Sequence, residues 1–308
     1  MVIPSFFIVG APRCGTSSLF AYLDAHPRIY ACEPKEPYHF NSDIALSWRP
    51  FADRRDYLQL FAGAREHQVA GEATVLYLYS KAALRGIQAL SPSARIIIML
   101  RDPVEVLQSY HALNLLLLNE DLEDLERALA AEEDRRAGRR IPWTCETPFA
   151  LQYSTIVRYA EHVQRYLEAF GPDRVKCILF DDLKREPDRV YRETLAFLGL
   201  EPRSLPSFKT YNQTRRWRSR RLAPFLVLAD RAGLRACHLI RAGRARRLAI
   251  AAMRLPLHWP RKANIDDAGR PFSVSPELRR ALRERFRDDV ERLAELLGRD
   301  LRSWVSPD

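Results

Sequence analysis

Residues 6–19, Phe6-Phe7-Ile8-Val9-Gly10-Ala11-Pro12-Arg13-Cys14-Gly15-Thr16-Ser17-Ser18-Leu19, decide the fold. Phe6 to Val9 is an apolar run of strand composition. The short loop Ala11 to Gly15 follows, and Thr16, Ser17 and Ser18 open a helix. Strand, tight loop and helix N-terminus together form an anion cradle, because the free amides of a first helical turn and the helix dipole converge there. The spacing follows the nucleotide-phosphate pattern GxxxxGK[ST], except that Thr16 stands where that pattern has its lysine. The cation is Arg13, inside the loop. Metal-dependent hydrolysis of ATP or GTP thereby loses its usual lysine, while binding of another phosphorylated nucleotide stays open.

Working outward, further short apolar runs predict strands at Gln68–Gly71, Ile96–Leu100 and Val175–Phe180, each apolar on both faces as parallel strands are when helices cover the sheet. Helices are predicted at Thr16–Ala25, Leu76–Leu90, from Pro103 toward Leu118 with Asp102 as N-cap, and at Leu122–Arg136, Tyr153–Phe170, Pro187–Leu198 and Pro276–Leu297. The alternation predicts an α/β fold: a three-layer α/β/α arrangement with a central, mainly parallel sheet and a P-loop-like phosphate-binding loop. The reading is one domain over residues 1–308, with 215–262 a basic insertion made of helical pieces.

The chain has 308 residues and a hydrophobic content of 47%, enough for one large core. Its five cysteines, Cys14, Cys32, Cys145, Cys177 and Cys237, are odd in number and form no CxxC pair, which argues against a disulfide framework or a zinc site. No leader-like segment and no apolar run of spanning length is visible, so a cytoplasmic location is expected. The net charge of +10 is concentrated: residues 215–262 hold thirteen arginines and one lysine against a single acid, Asp230. Such a segment suits an acidic partner or a membrane surface, and equally a plain solvated face.

Two more segments bear chemistry. Arg101 follows the Ile96–Leu100 strand at the edge where open α/β sheets bind ligands. Ser109 lies about two turns into the next helix, and a guanidinium with a hydroxyl can hold one phosphate. A surface pair of Arg101 with Asp102 is the plainer alternative. Coupled with the Arg13 loop, this second phosphate site points to a nucleotide phosphorylated at both ends of its ribose. Between them, Lys35-Glu36-Pro37-Tyr38-His39-Phe40-Asn41 places a carboxylate among aromatic residues and a histidine. Glu36 is the candidate general base, with His39 and His111 next in line. A structural loop salt bridge is the alternative that local sequence favours.

Taken together, these segments resemble the sulfotransferases that use 3′-phosphoadenosine 5′-phosphosulfate (PAPS), especially their carbohydrate branch. Pro12-Arg13-Cys14-Gly15-Thr16-Ser17 is similar to that family's 5′-phosphosulfate loop. Lys35-Glu36-Pro37 with Phe40 resembles the segment carrying its proposed base, and Arg101-Asp102-Pro103 with Ser109 and Tyr110 its 3′-phosphate element. Gly71-Glu72-Ala73-Thr74 with Tyr77, Arg158-Tyr159-Ala160, Phe180 to Leu183, Phe197 to Gly199 and Leu293 to Trp304 also match in order. The chain departs from the pattern at Arg13, where lysine is commoner, at Ala73 and Val75, and over the basic stretch 215–262.

The resemblance implies sulfuryl transfer from PAPS, leaving PAP, to an acceptor hydroxyl, or less readily an amine, of a glycan, lipid or natural product. Arg13, Cys14, Gly15, Thr16, Ser17 and Ser18 would bind the 5′ end, with Arg13 also catalytic. Arg101 and Ser109 would clamp the 3′-phosphate, and Glu36 would take the acceptor's proton. No metal is implied. The expected partner is a small-molecule or glycan acceptor, an anionic one included, and no nucleic acid. Two other classes stay on the table: a P-loop nucleotide kinase, weakened by the missing lysine, and a basic nucleic-acid or membrane-surface binder, weakened by sparse aromatics in 215–262.

Overall fold

A computed structural model of the chain describes residues 2–205, 207, 216–219, 222–238, 264–266 and 274–306. The chain divides into two compact units. The first comprises Met1–Leu107, Tyr153–Asn212 and Val274–Asp308, and the second Gln108–Gln152 and Gln213–Ser273.

The first unit is built on five parallel strands: β1 (Phe6–Gly10), β2 (Ile29–Ala31), β3 (Val69–Ala73), β4 (Arg95–Leu100) and β5 (Val175–Leu179). Their order is β2-β3-β1-β4-β5. Phe6 to Val9 and Ile96 to Leu100 are fully buried, which is why these runs are apolar without alternation. The helices in chain order are α1 (Thr16–Asp24), α2 (Arg54–Gln59), α3 (Lys81–Leu90), α4 (Pro103–Leu116), α5 (Leu125–Ala130), α6 (Glu132–Arg136), α7 (Tyr153–Val157), α8 (Ala160–Phe170), α9 (Phe180–Arg185), α10 (Pro187–Phe197), α11 (Ala223–His238) and α12 (Pro276–Leu297). From β1 the chain turns toward β2 and β3, and from β4 toward β5. Adjacent β1 and β4 therefore flank the switch point of the sheet, whose carboxyl edge is where such folds bind ligands. The β1–β4 register shifts between Ile8 and Gly10, so β1 bends away where the phosphate loop begins.

The four expected strands are present within a residue or two of their predicted bounds, and the sheet is parallel as read. Strand β2 and helices α2 and α9 had no predicted counterpart. Four helices differ from expectation for identifiable reasons. The run Leu76–Leu90 splits into a 3-10 turn, Val75–Tyr79, and α3, because Ser80 stops the first and caps the second by accepting from the Ala83 amide at 2.8 Å. Tyr153–Phe170 breaks into α7 and α8, because Asp289 of α12 accepts from the Tyr159 and Ala160 amides at 2.7 and 3.3 Å. Leu122–Arg136 starts later and is divided, with Asp124 capping α5 through the Arg127 amide at 2.8 Å. Helix α4 ends at Leu116, short of Leu118, whose φ of 58° is left-handed and cannot continue a helix. Its start is as read: Asp102 accepts from the Val104 amide at 2.7 Å beside Pro103.

The second unit holds the end of α4, α5, α6, α11 and the antiparallel pair Arg216–Trp217 with Ile265–Asp266. Its interior contains an ion pair, Arg135 to Glu120, made by two bonds of 2.7 and 2.6 Å with both side chains sealed from solvent. Arg231 of α11 donates to the carbonyls of Thr144 and Leu117, both at 2.6 Å, and pairs with Glu146. Of the basic stretch 215–262, only 216–219 and 222–238 lie within the described residues.

Candidate active site

The phosphate loop is held from below by the Ala11 amide, which donates to the Met99 carbonyl of β4 at 2.7 Å. Arg13 has φ 64° and Gly15 φ 85°, both left-handed. Such residues curl the backbone so that its amides line a concave nest. At Gly15 the need for glycine is double: a Cβ there would lie 2.8 Å from the Phe180 ring. Gly15 is also the N-cap of α1 and has no side chain to cap it; its carbonyl takes the Ser18 and Leu19 amides at 3.0 and 3.1 Å, and the positive end of the helix dipole faces the loop. Cys14 is buried, with its thiol 3.4 Å from the Pro12 carbonyl, and burial pushes the thiol up to about 12. It is packing rather than a nucleophile. Thr16 and Ser18 are buried and Ser17 half-buried.

Arg101, just past β4, meets this loop. Its Nη1 donates to the Arg13 carbonyl at 3.4 Å, its Nε and Nη2 donate to Glu105 at 2.8 and 2.7 Å, and its guanidinium lies 4.6 Å from the Phe180 ring centroid. Burial, and then the charge of Arg101, hold the Arg13 guanidinium below its ordinary value. Two cations thus crowd one edge of the sheet, an arrangement an anion relieves. Ser109 is buried on α4, in the part of that helix counted with the second unit. Glu105 was not picked out from the sequence, and Phe180 only as the start of the family-matching segment Phe180 to Leu183, with no role at the site. Spacing four residues on from Arg101 is a local signal for the first, and position just past the carboxyl end of β5 for the second.

Glu36 sits in the loop that follows β2. Its Oε1 accepts from Lys35 Nζ at 3.1 Å, whereas its buried Oε2 has no hydrogen-bond partner among the described residues. The loop's aromatic residues fasten it. Phe40 packs edge-on against Phe7 of β1, Tyr57 and Tyr77 at centroid distances of 6.3, 5.3 and 5.6 Å. His39 stacks on Tyr57 at 4.1 Å, and its Nδ1 donates to the Phe51 carbonyl at 2.6 Å. Burial lowers the pKa of His39. The other fallback base, His111, is buried in the second unit, where its Nε2 donates to the Leu122 carbonyl at 2.8 Å.

Beneath this loop lies a group whose chemistry the sequence did not reveal. Glu72, on β3, is fully buried. It accepts from Tyr57 at 2.6 Å, Thr74 at 2.8 Å and Tyr77 at 3.2 Å. Burial pushes its carboxyl up to about 7, opposed by these three donors, with the charge of Glu36 adding to the rise. The segment Gly71-Glu72-Ala73-Thr74 with Tyr77 matches the family in order, but that match gives neither the burial of Glu72 nor the third donor, Tyr57, which comes from α2 fifteen residues away.

Residues 4–215 match the family described as sulfotransferase domain. Among solved structures, the crystal structure of a sulfotransferase from Alicyclobacillus acidocaldarius is similar over 99% of this chain and 100% of that one, with a TM-score of 0.71 and 28% identity. The bifunctional heparan sulfate N-deacetylase/N-sulfotransferase 3 of Mus musculus is 27% identical over 214 residues, 65% of this chain and 23% of that protein. The heparan sulfate glucosamine 3-O-sulfotransferase 3A1 of Mus musculus is 24% identical over 219 residues, 69% of this chain and 50% of that protein. The chain spans no more than half the length of these two curated relatives.

Proposed function

The chain belongs to the sulfotransferase-domain family, and on that premise we propose that it moves the sulfuryl group of PAPS to an acceptor hydroxyl of a glycan, lipid or natural product. The observation that carries this reading is the pair Arg13 and Arg101, tethered at the carboxyl edge of β1 and β4. Their mutual charge and the positive dipole end at the start of α1 suit a ligand with anionic groups at two points. PAPS supplies the sulfuryl group and takes up the negative charge of the broken S–O bond.

In this reading Arg13 and the amides of Cys14, Gly15, Thr16 and Ser17, with the Ser18 hydroxyl, hold the 5′ end of the nucleotide. Preset donors of this kind contribute about 3 kcal/mol each where charge develops. Arg101 holds the 3′-phosphate, and Ser109 joins it on the strength of the sequence motif. Glu36 takes the acceptor's proton. Its partnerless Oε2 supports that role, since a buried carboxylate oxygen without a donor is costly until a hydroxyl meets it. The carbohydrate-acting relatives favour a glycan acceptor, and the arginine-rich stretch 215–262 favours an anionic one. A cytosolic setting belongs to the same reading and is checked by cell fractionation.

Thermal unfolding with PAP, ADP and ATP tests the cofactor. PAP at a hundred times its Kd stabilises by about 2.7 kcal/mol, and ADP and ATP at the same concentration do much less. Equal shifts from all three would mean that the 3′-phosphate makes no contact of its own. In a screen of glycan acceptors, Glu36→Gln keeps PAP affinity and loses turnover by roughly 10²–10⁴-fold. Full turnover would pass the role of base to His39.

A further inference from the structure

An ionisable carboxyl at the bottom of a core is costly when charged, and among the described residues no cation pairs with Glu72. Its three partners are hydroxyls. Two of these partners reach the loop that bears Glu36. Tyr77 Oη, while donating to Glu72, accepts from the Phe40 amide at 3.4 Å. Tyr57, while donating to Glu72, lies flat against His39 with an interplanar angle of 5° and edge-on to Phe40. The far end of the same loop is tied separately, by Asn41 Nδ2 to the Leu76 carbonyl at 3.2 Å and by Asp43 to Ser80 and the Ala82 amide. Besides the His39 bond to the Phe51 carbonyl and the Phe40 contact with Phe7, the loop therefore has one fixed end and a set of fastenings that converges on a single buried carboxyl.

We propose that Glu72 is a positioning residue for the base: its carboxylate, acting through Tyr57 and Tyr77, holds the loop that carries Glu36 in its reactive arrangement. The inference rests on the reading of Glu36 as base, but the fastening itself is a property of the free protein and is measured there.

The ionised carboxyl makes charge-assisted bonds, roughly twice as strong as those of the neutral acid. Glu72 is ionised above about 7, so the loop is held most firmly there and less firmly below. The titratable groups that face Glu72 are Tyr57 from α2, Tyr77 from the 3-10 turn, Cys32 after β2, Tyr166 from α8 and Glu36 from the loop. Burial raises the two tyrosines bonded to Glu72, Tyr166 and Cys32, so all four stay protonated across the range, and burial lowers the pKa of His39.

The test is backbone amide hydrogen exchange of the unliganded full chain between about pH 5.5 and 8.5, corrected for the intrinsic rate and read over 35–41. In the wild type, protection of this segment rises several-fold as pH passes about 7. In Glu72→Gln, which keeps an acceptor oxygen but never a charge, protection stays at the wild-type low-pH value throughout. Tyr77→Phe lowers protection at every pH and keeps a reduced step, since Tyr57 still reports the charge. PAP affinity is unchanged in both variants, which separates fastening of the loop from general damage to the fold. Wild-type protection with a wild-type pH step in Glu72→Gln would overturn the proposal, and so would a matching loss of PAP affinity. If Glu72→Gln does not fold, Tyr57→Phe and Tyr77→Phe carry the test, and unchanged protection in both overturns it. Failure of PAP to bind any form would count against the sulfuryl-transfer reading and leave the exchange result standing.

Discussion

At Arg101 the Nε and Nη2 donors face Glu105, Nη1 faces the Arg13 carbonyl, and the guanidinium lies over Phe180. A side chain held on three sides has little rotamer freedom left to lose when a ligand arrives, which is how a fork donor becomes selective. Replacing it with alanine removes charge-assisted bonds worth about 1.5–3 kcal/mol. Arg101→Ala is therefore expected to weaken PAP binding by roughly 10–100-fold and ADP binding much less, as read by isothermal titration. Equal losses for both nucleotides would mean that Arg101 acts only by bracing the Arg13 loop. The candidate residues Arg13, Gly15, Arg101 and Glu36 could be named from sequence because each stands in a local pattern with strong spacing. Glu105 was not among them, and Glu72 stood only inside a segment that matches the family, with no role. Glu105 reads as an ordinary helix-surface acid, and Glu72 reads as one polar residue in a strand until Tyr57 and Tyr77 fold over it.

At the scale of elements, the sheet was the readable part and the helix breaks were not. Short runs buried on both faces declare strands by composition alone. The division of the expected helix Tyr153–Phe170 has no cause within that stretch: it is made by Asp289, which lies on α12 and takes the amides of Tyr159 and Ala160. A helix capped from another helix ties the two together in the same step. Asp289→Ala is expected to lower stability by about 1–2 kcal/mol, the cost of losing a good cap, seen as a lower urea midpoint with an unchanged slope. Asp289→Asn, which keeps an acceptor oxygen, is expected to lose less. No change in either would mean that the break is set by packing alone.

For the molecule as a whole, the buried titratable groups shape the stability curve. The Glu72 carboxyl ionises near 7 in the folded chain and near 4.5 in the unfolded one. Between those values the native state holds a proton that the unfolded chain has released, so stability from this site is full below about 4.5 and is lost as pH rises toward 7. His162 works in the opposite sense: burial pushes it down to about 4, so its contribution is lost as pH falls below 6.5. Comparing Glu72→Gln with wild type isolates the first term. The melting-temperature difference in favour of the glutamine variant is expected to grow as pH rises from about 4.5 and to level off above about 7. A difference independent of pH would mean that the carboxyl does not ionise in the core. A site that lowers stability at the pH where it is charged fits the common exchange of stability for a poised active site.

The amino-acid sequence by itself determined the parallel α/β sheet, the phosphate loop between β1 and α1, the second cationic position at Arg101 and the family these belong to. All of them are written in runs of neighbouring residues: burial on both faces makes a strand apolar, and a helix N-terminus needs its loop next to it in the chain. The tertiary structure alone decided what those residues do to one another. The Arg101 tether to the Arg13 loop spans 88 positions, the capping of α8 by Asp289 spans 129 and 130, and the Tyr57 bond reaches Glu72 across 15 from a separate element. Contacts of that range depend on the order in which strands assemble, and a buried carboxyl near neutrality exists only once water has been removed from around it.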